Sequence, residues 1–216
     1  MANRFVYYVD PKNYIYKKID ISFKWYPGFS KEQKQKSIED LHFQFLKENI
    51  TDQILEVSSK SVKVIGVKSS AFNLKISTMN GNVFSVEQLF QSSKVYQKAG
   101  NQNYLLEKGY NAKEMKQKIR KIDNNDYMTK YSSFGHDFPL EPKNLFYNWL
   151  YVNALYRNPD IASEILKYEA FTDIEFNPKR SFNCQAEACA IYVSLFKREY
   201  LQKALKSVDN FKKIVY

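Results

Sequence analysis

The chain has 216 residues, of which 44% are hydrophobic and 26% are charged, a balance typical of a soluble globular domain and not of a disordered chain. A domain of this size buries roughly 70% of the surface that its unfolded chain would expose, so it needs no disulfide framework. Lysine and arginine exceed aspartate and glutamate by 33 to 23, which gives a net charge of +10. This excess favours a polyanionic or phosphate-bearing partner, although a generally lysine-rich composition would also explain it.

Cysteine and histidine are scarce, and their spacing predicts no metal site. Cys184 and Cys189 lie five residues apart in a segment predicted as helix, so they point in different directions, as suits a reducing cytosol. His42 and His136 have no second histidine or cysteine at ligand spacing. The N-terminal residues lack a signal-peptide pattern, and no run of 18 apolar residues occurs. We therefore expect a soluble, cytoplasmic protein with neither a membrane span nor a bound metal.

The N-terminal part of the chain predicts a hairpin, a helix and two further strands. Residues 4–26 are rich in aromatic and β-branched side chains on both sides of an Asp-Pro-Lys-Asn turn at 10–13. Ser30 starts a capping-box pattern, and the apolar residues after it predict a helix to about Lys47. The runs ILEVSS and VKVIGV are typical of strands. We expect a single domain over residues 1–216, on which residues 1–50 pack as an extension.

The middle of the chain predicts a loop, SSAFNL, then a hairpin with an Asn-Gly turn at 79–82, then a helix. Ser85 begins an S-x-x-Q capping box at the start of this helix. Glu87, Gln91 and Lys94 follow at i, i+4 and i+7, so they share one helical face. Glu87 has a structural explanation, because an acidic residue in the first turn interacts well with the helix dipole. The functional alternative is a carboxylate at the mouth of a pocket, able to orient a water and stabilise positive charge on a sugar ring.

The C-terminal half predicts mostly helix. AKEMKQKIRK is typical of a basic helix, DNNDYMTKYSSFGHDFPLEP of a long polar connection, and NLFYNWLYVNALYR of a helix. Pro159 suits the first position of another helix. The segment CQAEACAIYVSLFKREYLQKAL predicts the longest helix, with Asn183 as its N-cap. The fold class that these patterns indicate is α+β, a single domain richer in helix than in strand.

Two groups of polar residues in this half are candidate binding residues. Cap and turn chemistry would explain part of the loop FTDIEFNPKRSFNCQ, but its density of donors and acceptors favours a ligand site: Asp173, Glu175, Asn177, Lys179, Arg180, Asn183 and Gln185. In the preceding helix Trp149, Asn153 and Tyr156 share a face. Aromatic residues at this spacing usually belong to the core, but the asparagine among them must find a partner.

Residues 108–121 hold a single acidic residue, Glu114, among six basic ones. A solvated helix surface is the structural explanation of this run. If the helix instead contacts DNA, each phosphate that it neutralises would add to a salt-dependent affinity.

The order of three sequence blocks indicates a family. SAFNLKISTMNGNVFSVEQLFQSSKVY is followed by FYNWLYVNALYRNPDIASEILKY and then by TDIEFNPKRSFNCQAEACAIYVSL. This succession resembles the NADAR superfamily, the NAD- and ADP-ribose-associated proteins with the YbiA-like fold. The preceding segments WYPGFSKEQKQKSIEDLH and EVSSKS are similar to the DarT-associated NADAR proteins, antitoxins to a DNA ADP-ribosyltransferase. The resemblance extends from about Phe23 to Tyr216.

The resemblance implies hydrolysis of the N-glycosidic bond between a nucleobase and the ribose of an ADP-ribose unit. In the DarT-associated branch this substrate is ADP-ribosylated guanine in DNA. It implies Glu87 as the catalytic residue, with no metal and no cofactor, ADP-ribose being a product or ligand. We expect substrate contacts from the residues that match the family's motifs and from their polar and aromatic neighbours: Ser70, Phe72, Asn73, Gln91, Lys94, Trp149, Asp173, Glu175, Asn177, Lys179, Arg180 and Asn183.

Within this set Lys94, Lys179 or Arg180 would hold the diphosphate, and Phe72 or Trp149 would stack on a base. Weaker contacts to DNA are expected from the basic run, at Lys113, Lys116, Lys118, Arg120 and Lys121. The implied partners are ADP-ribosylated DNA and a DarT-type ADP-ribosyltransferase. The implied setting is the cytoplasm of a bacterium, or of the host cell if a phage encodes the protein.

Two other functions remain open at this stage. One is an N-glycosidase that acts on a small phosphorylated metabolite, such as the riboflavin-pathway intermediates of YbiA-like relatives. The other is a module without enzymatic activity that binds ADP-ribose or DNA, for which a carboxylate at position 87 would be dispensable.

Overall fold

The computed structural model describes residues 1–78, 80–178 and 181–216, in which short strands alternate with helices. The strands are β1 (Ala2–Val9), β2 (Tyr16–Phe23), β3 (Ile54–Glu56), β4 (Lys75–Ser77), β5 (Val83–Ser85), β6 (Lys94–Tyr96), β7 (Gly100–Asn101), β8 (Met128–Ser133), β9 (His136–Phe138) and β10 (Ala170–Thr172). The helices are α1 (Lys31–Leu46), α2 (Val64–Lys68), α3 (Val86–Ser92), α4 (Tyr104–Glu107), α5 (Ala112–Asp123), α6 (Leu145–Tyr156), α7 (Pro159–Ile165), α8 (Gln185–Lys197), α9 (Leu201–Leu205) and α10 (Val208–Val215). This mixture of helix and sheet confirms the α+β class; the YbiA-like fold and the single domain over 1–216 stay predictions.

A four-stranded sheet with the order β2-β1-β10-β3 forms one half of the molecule. The β1–β2 hairpin is antiparallel over its full length, and β1 also pairs antiparallel with β10, where Tyr7 lies opposite Phe171. β10 pairs in parallel with β3, so that Ala170 lies opposite Ile54. The N-terminal hairpin is therefore hydrogen-bonded to the strand that leads into the 173–185 segment.

Helices cover both faces of this sheet, because successive side chains of β1 point to opposite sides. Val6 packs with Phe23, Leu41 and Phe45 in a core between the sheet and α1. Tyr7 packs in the larger core that the other face shares with α6 and α8. The result is a layer of sheet between layers of helix, a common solution for burying two apolar faces.

A second four-stranded sheet, with the order β7-β6-β8-β9, adjoins the larger core. Its strands β8 and β9 meet at a tight turn, Phe134-Gly135, where both residues have positive φ angles of 52° and 76°. Tyr131 and Phe138 face inward, and each ring centroid lies 4.7 Å from that of Phe146 on α6. These ring contacts join the second sheet to the helical layer.

Several predicted elements are confirmed. The 4–26 segment forms the β1–β2 hairpin, with Asp10 accepting a hydrogen bond from the Lys12 amide in its turn. Ser30 caps α1 by accepting from the Gln33 amide. The predicted 79–82 turn joins β4 to β5, although Met79 itself lies outside the described residues. The capping box at the start of α3 and the helices α5, α6 and α7 also occur as predicted.

Two predictions of secondary structure were wrong, one because tertiary packing overrides local strand propensity and one because a hairpin turn carries no sequence signal. The run VKVIGV forms α2 instead of a strand, and its Gly66 lies so close to β3 that an added Cβ would be 2.1 Å from the Glu56 carbonyl oxygen. The connection at 123–142 contains β8 and β9. Their hairpin turn lacks the Asn-Gly or Asp-Gly pair that marks such turns in a sequence.

Three helix boundaries also differ from the predictions. α8 ends at Lys197, because Glu199 adopts a left-handed φ of 60°, so the 16-residue α1 is longer than the 13-residue α8. The residue at the N-cap position of α8 is Cys184 and not Asn183, and its side chain makes no capping bond. α3 ends at Ser92, so Lys94 begins β6 and is not on the helix.

Candidate active site

A cavity of about 640 Å³ lies where the N-terminal hairpin, α3, α5, α6 and the 173–185 segment converge. Its volume falls within the range of roughly 300–1,000 Å³ typical of small-molecule sites. Aromatic side chains, including Phe72, Phe90 and Tyr147, alternate in its wall with charged ones of both signs. The cavity can therefore offer stacking surfaces and charge-assisted hydrogen bonds to the same ligand.

Glu87 is a buried carboxylate of this wall that is held at one of its two oxygens. Its side chain is 7% exposed, and its Oε1 lies 3.3 Å from the Lys116 ammonium and accepts a 2.9 Å hydrogen bond from Gln91 Nε2. Its Oε2 has no hydrogen-bond partner among the residues that the structure describes. Its backbone amide donates to the Ala71 carbonyl, 2.9 Å away, which ties the start of α3 to the loop before β4. The carboxylate is thus held at one oxygen, with the other available to a ligand or a water.

Lys94 adds a buried cation to the same cavity. Its side chain is 13% exposed and its ammonium lies 3.5 Å from Asp123 at the end of α5. Burial lowers the pKa of Lys94, and the neighbouring Asp123 carboxylate opposes that shift. The ammonium also lies 5.7 Å from the centroid of the Phe90 ring. Although Lys94 begins a strand, its side chain reaches the cavity wall that α3 provides.

Asp173 occupies the cavity wall formed by the segment after β10, and a fixed network surrounds it. Its Oδ1 accepts from the backbone amides of Glu175 and Phe176, at 3.1 and 3.2 Å, and its Oδ2 accepts from Gln185 Nε2 at 3.0 Å. The side-chain oxygen of Gln185, Oε1, accepts from the Ala71 backbone amide. Gln185 therefore links Asp173 to the loop that receives the Glu87 amide.

A second buried carboxylate, Glu56 on β3, lies behind Asp173. Glu56 accepts hydrogen bonds from the Thr172 hydroxyl at 2.6 Å and from the Ile174 amide at 2.9 Å. Burial, followed by the charge of Asp173, raises the pKa of Glu56 to about 7. Burial also raises the pKa of Asp173 to about 6. Both shifts follow from placing two carboxylates in one poorly solvated region.

Several polar atoms around the cavity are buried without a hydrogen-bond partner among the described residues: Gln91 Oε1, Asn183 Oδ1 and Arg4 Nε. The Tyr147 hydroxyl also lacks a partner there. Burial, followed by the charge of Glu87, raises the pKa of Tyr147 well above its ordinary value, so its phenol stays neutral and can donate. Unpaired buried polar groups are costly, and their concentration in one cavity indicates a polar ligand.

The structure brings most of the predicted site residues to this cavity. Glu87 shares it with nine others: Phe72, Gln91, Lys94, Lys116, Arg120, Asp173, Glu175, Asn177 and Asn183. The Lys116 ammonium lies 5.6 Å from the centroid of Phe72, whose ring is 43% exposed at the cavity. Helix α5 thus contributes two of its basic residues to the cavity and presents a third, Lys113, to solvent.

Other predicted residues lie away from the cavity. Ser70 and Asn73 donate to the Val67 carbonyl, and so shape the loop that presents Phe72. Trp149 packs on Phe138, with ring centroids 5.1 Å apart. Of the remaining basic-run residues, Lys118 lies over the Tyr110 ring and Lys121 is exposed. Lys179 and Arg180 lie outside the described residues, and all these predicted contacts stay predictions.

Several residues that line the cavity were not predicted, because they come from distant parts of the chain or from positions without a local motif; among them are Arg4, Trp25, Lys34, Tyr131 and Tyr147. Gln185 was part of the predicted polar cluster. The first three come from the N-terminal hairpin and α1, which the sequence predicts only as a packed extension. Trp25, one of only two tryptophans in the sequence, was the one residue whose type could have drawn attention there.

Neither a metal site nor a membrane-crossing helix is found in the described parts of the chain. No group of three or more His, Cys, Asp or Glu side chains in these parts could hold a metal ion. None of their helices combines the length and the apolar character that crossing a bilayer requires.

The family described as DarT1-associated NADAR antitoxin matches residues 2–216, nearly the whole chain. No curated protein matches the sequence.

Proposed function

Since the chain belongs to the DarT1-associated NADAR antitoxin family, we propose that it removes ADP-ribose from guanine bases in DNA by hydrolysing the N-glycosidic bond. This reaction would reverse the modification made by a DarT-type toxin. The observation that supports it most directly is the placement of Glu87, a buried carboxylate with one oxygen fixed and one available, in the wall of a cavity of ligand size.

The chemistry requires a negative charge beside the sugar. As guanine departs with the electrons of the C–N bond, positive charge develops on the ribose ring, and the Glu87 carboxylate can stabilise it. The same carboxylate can take a proton from a water through Oε2, while the water oxygen bonds to the anomeric carbon and a proton goes to the departing base. Gln91 and Lys116 hold Oε1 and thereby fix the direction in which Oε2 points. One glutamate would serve both purposes, unlike the glycosidases that use two carboxylates.

The remaining wall suits the other parts of an ADP-ribosylated nucleotide. Lys94, Lys116 and Arg120 supply positive charge from one side of the cavity, suited to a diphosphate. The exposed ring of Phe72 can stack on a base. Tyr147 supplies a neutral donor that no described residue engages, and the solvent-facing Lys113 extends the basic surface toward a DNA strand.

The test incubates the purified protein with an oligonucleotide that carries one ADP-ribosylated guanine. Gel electrophoresis and mass spectrometry would follow the products. The proposal predicts free ADP-ribose together with an intact oligonucleotide that has regained an unmodified guanine. An oligonucleotide that stays modified, under conditions in which the protein binds it, would overturn the proposal.

Parallel reactions distinguish the two other functions. Cleavage of small phosphorylated N-glycosides, without cleavage of the modified oligonucleotide, would identify a metabolite N-glycosidase. Binding of ADP-ribose or DNA without cleavage of any substrate would identify a binding module.

A further inference from the structure

Three residues of the N-terminal part of the chain form a compact cation–aromatic cluster in the cavity wall: Arg4, Trp25 and Lys34. The Lys34 ammonium lies 4.5 Å from the centroid of the Trp25 ring, and the Arg4 guanidinium carbon lies 5.3 Å from it. The Phe23 ring, 6.3 Å away and nearly perpendicular, supports the tryptophan from the core. We call this set the N-terminal cluster.

The two cations of the N-terminal cluster are incompletely paired. Arg4 Nη1 donates to the Asn3 carbonyl at 2.9 Å, but its Nε is buried without a partner in the described part of the chain. Burial lowers the pKa of Arg4, and the charge of Asp173 opposes that shift. Lys34 has a loose ion pair, 3.6 Å from a Glu175 carboxylate whose side chain is 42% exposed.

The nearby acidic groups do not satisfy these cations. The hydrogen bonds to Asp173 come from Gln185 and from two backbone amides, and not from Arg4. Glu175 is exposed enough to turn toward solvent when a stronger anion arrives. A buried donor without an acceptor, beside an aromatic ring and a second cation, matches the chemistry of a phosphate oxyanion next to a base or sugar.

We propose that Arg4, Trp25 and Lys34 form a phosphate subsite of the cavity, separate from the Lys94 and Lys116 side. The identity of its ligand rests on the proposed function: the phosphate belongs either to the DNA strand that carries the modified guanine or to the diphosphate of ADP-ribose. In either case the N-terminal hairpin and α1 take a direct part in substrate binding. The Trp25 ring orients both cations, and its fluorescence should change when a phosphate binds beside it.

The sequence contains two tryptophans, which permits a binding test that does not depend on cleavage. Trp149 lies outside the cavity and its indole nitrogen is buried without a described partner, so Trp149→Phe removes an unpaired donor. Trp25 is then the only tryptophan. Its fluorescence would be titrated with inorganic pyrophosphate, with ADP-ribose and with a short unmodified single-stranded oligonucleotide, and with adenosine as the control that lacks phosphate.

The proposal predicts a saturable change of Trp25 fluorescence with at least one of the phosphate probes and none with adenosine. In the Trp149→Phe background, Arg4→Gln and Lys34→Gln should each weaken that binding about tenfold, as expected for the loss of a charge-assisted hydrogen bond. Lys36→Gln, which removes an exposed charge from the same helix, should leave it within twofold. Arg4→Lys keeps the charge and should recover part of the loss if Arg4→Gln disturbs folding.

The probe whose binding the charge variants weaken identifies the source of the phosphate. Weakening confined to the oligonucleotide assigns the subsite to the DNA strand, and weakening with ADP-ribose assigns it to the diphosphate. Unchanged affinities in both charge variants, or no fluorescence response to any phosphate probe, would overturn the proposal. Binding that follows these predictions without any cleavage of the modified oligonucleotide would contradict the proposed function and leave the subsite intact.

Discussion

The buried carboxylate pair behind the cavity makes a specific prediction about stability and pH. Glu56 has a pKa raised to about 7, against an unfolded value of roughly 4.3. Between these two pH values the folded protein holds a proton that the unfolded chain has lost, so the free energy of unfolding falls as the pH rises through that window. The loss is complete above about pH 7, and it amounts to the order of 3 kcal/mol if Glu56 titrates alone.

Glu56→Gln removes this titration while resembling the protonated acid in shape. Its amide can still bond to the Thr172 hydroxyl and accept from the Ile174 amide. We therefore expect the difference in free energy of unfolding, variant minus wild type, to rise by the order of 1–3 kcal/mol from pH 4.5 to pH 8. Urea unfolding followed by circular dichroism at several pH values would measure it.

Glu169→Gln is the control of opposite sign. Glu169 accepts from the Lys197 ammonium at 2.6 Å, and this bond lowers its pKa. Its contribution to stability is present above the unfolded pKa and is lost as the pH falls through the folded pKa. For this variant the difference should become more negative as the pH rises to the unfolded pKa of roughly 4.3, and it should stay nearly constant from there to pH 8. A difference for Glu56→Gln that stays constant within about 0.5 kcal/mol from pH 4.5 to 8 would refute the linkage argument.

Two further substitutions test the surroundings of the cavity. Gly66→Ala would place a Cβ 2.1 Å from the Glu56 backbone oxygen, so we expect a loss of about 1–3 kcal/mol in urea unfolding; an unchanged midpoint would show that α2 is free to shift. Gln185→Leu would leave the Ala71 amide without its acceptor and Asp173 Oδ2 without its donor, at a cost of about 1–3 kcal/mol in the same assay. The Ala71 carbonyl also accepts the hydrogen bond from the Glu87 amide. Gln185→Leu should therefore lower kcat for cleavage of the modified oligonucleotide more than it raises KM. An unchanged kcat would show that this hydrogen-bond network does not affect the reaction.

Local signals in the sequence predicted the elements that have strong caps and turns. Ser30 and Ser85 begin their helices as expected, because a hydroxyl that accepts from the third residue on is a local feature. The β8–β9 hairpin was missed because the Phe134-Gly135 turn has an aromatic residue at a left-handed φ, which the sequence pattern does not favour. The end of α8 was missed for the same reason, since Glu199 is neither glycine nor asparagine.

The candidate site was predictable where the residues are close in sequence and not where folding brings distant segments together. Glu87, Gln91 and the 173–185 cluster stand in recognisable local patterns, and the family resemblance adds to them. The N-terminal wall depends on β1 pairing with β10, a contact between residues more than 160 positions apart. No local pattern encodes that pairing, so Arg4 and Lys34 could not be assigned from sequence.

The central claim is that the Glu87 carboxylate performs the hydrolysis, and a single-turnover comparison tests it most directly. Wild type, Glu87→Gln and the exposed control Glu39→Gln would each be mixed in excess with the singly ADP-ribosylated oligonucleotide, and binding of that substrate would be measured separately. We predict a rate at least about 100-fold lower for Glu87→Gln, with substrate affinity within a few-fold and with Glu39→Gln equal to wild type. A Glu87→Gln rate within threefold of wild type, at equal substrate binding, would contradict the account.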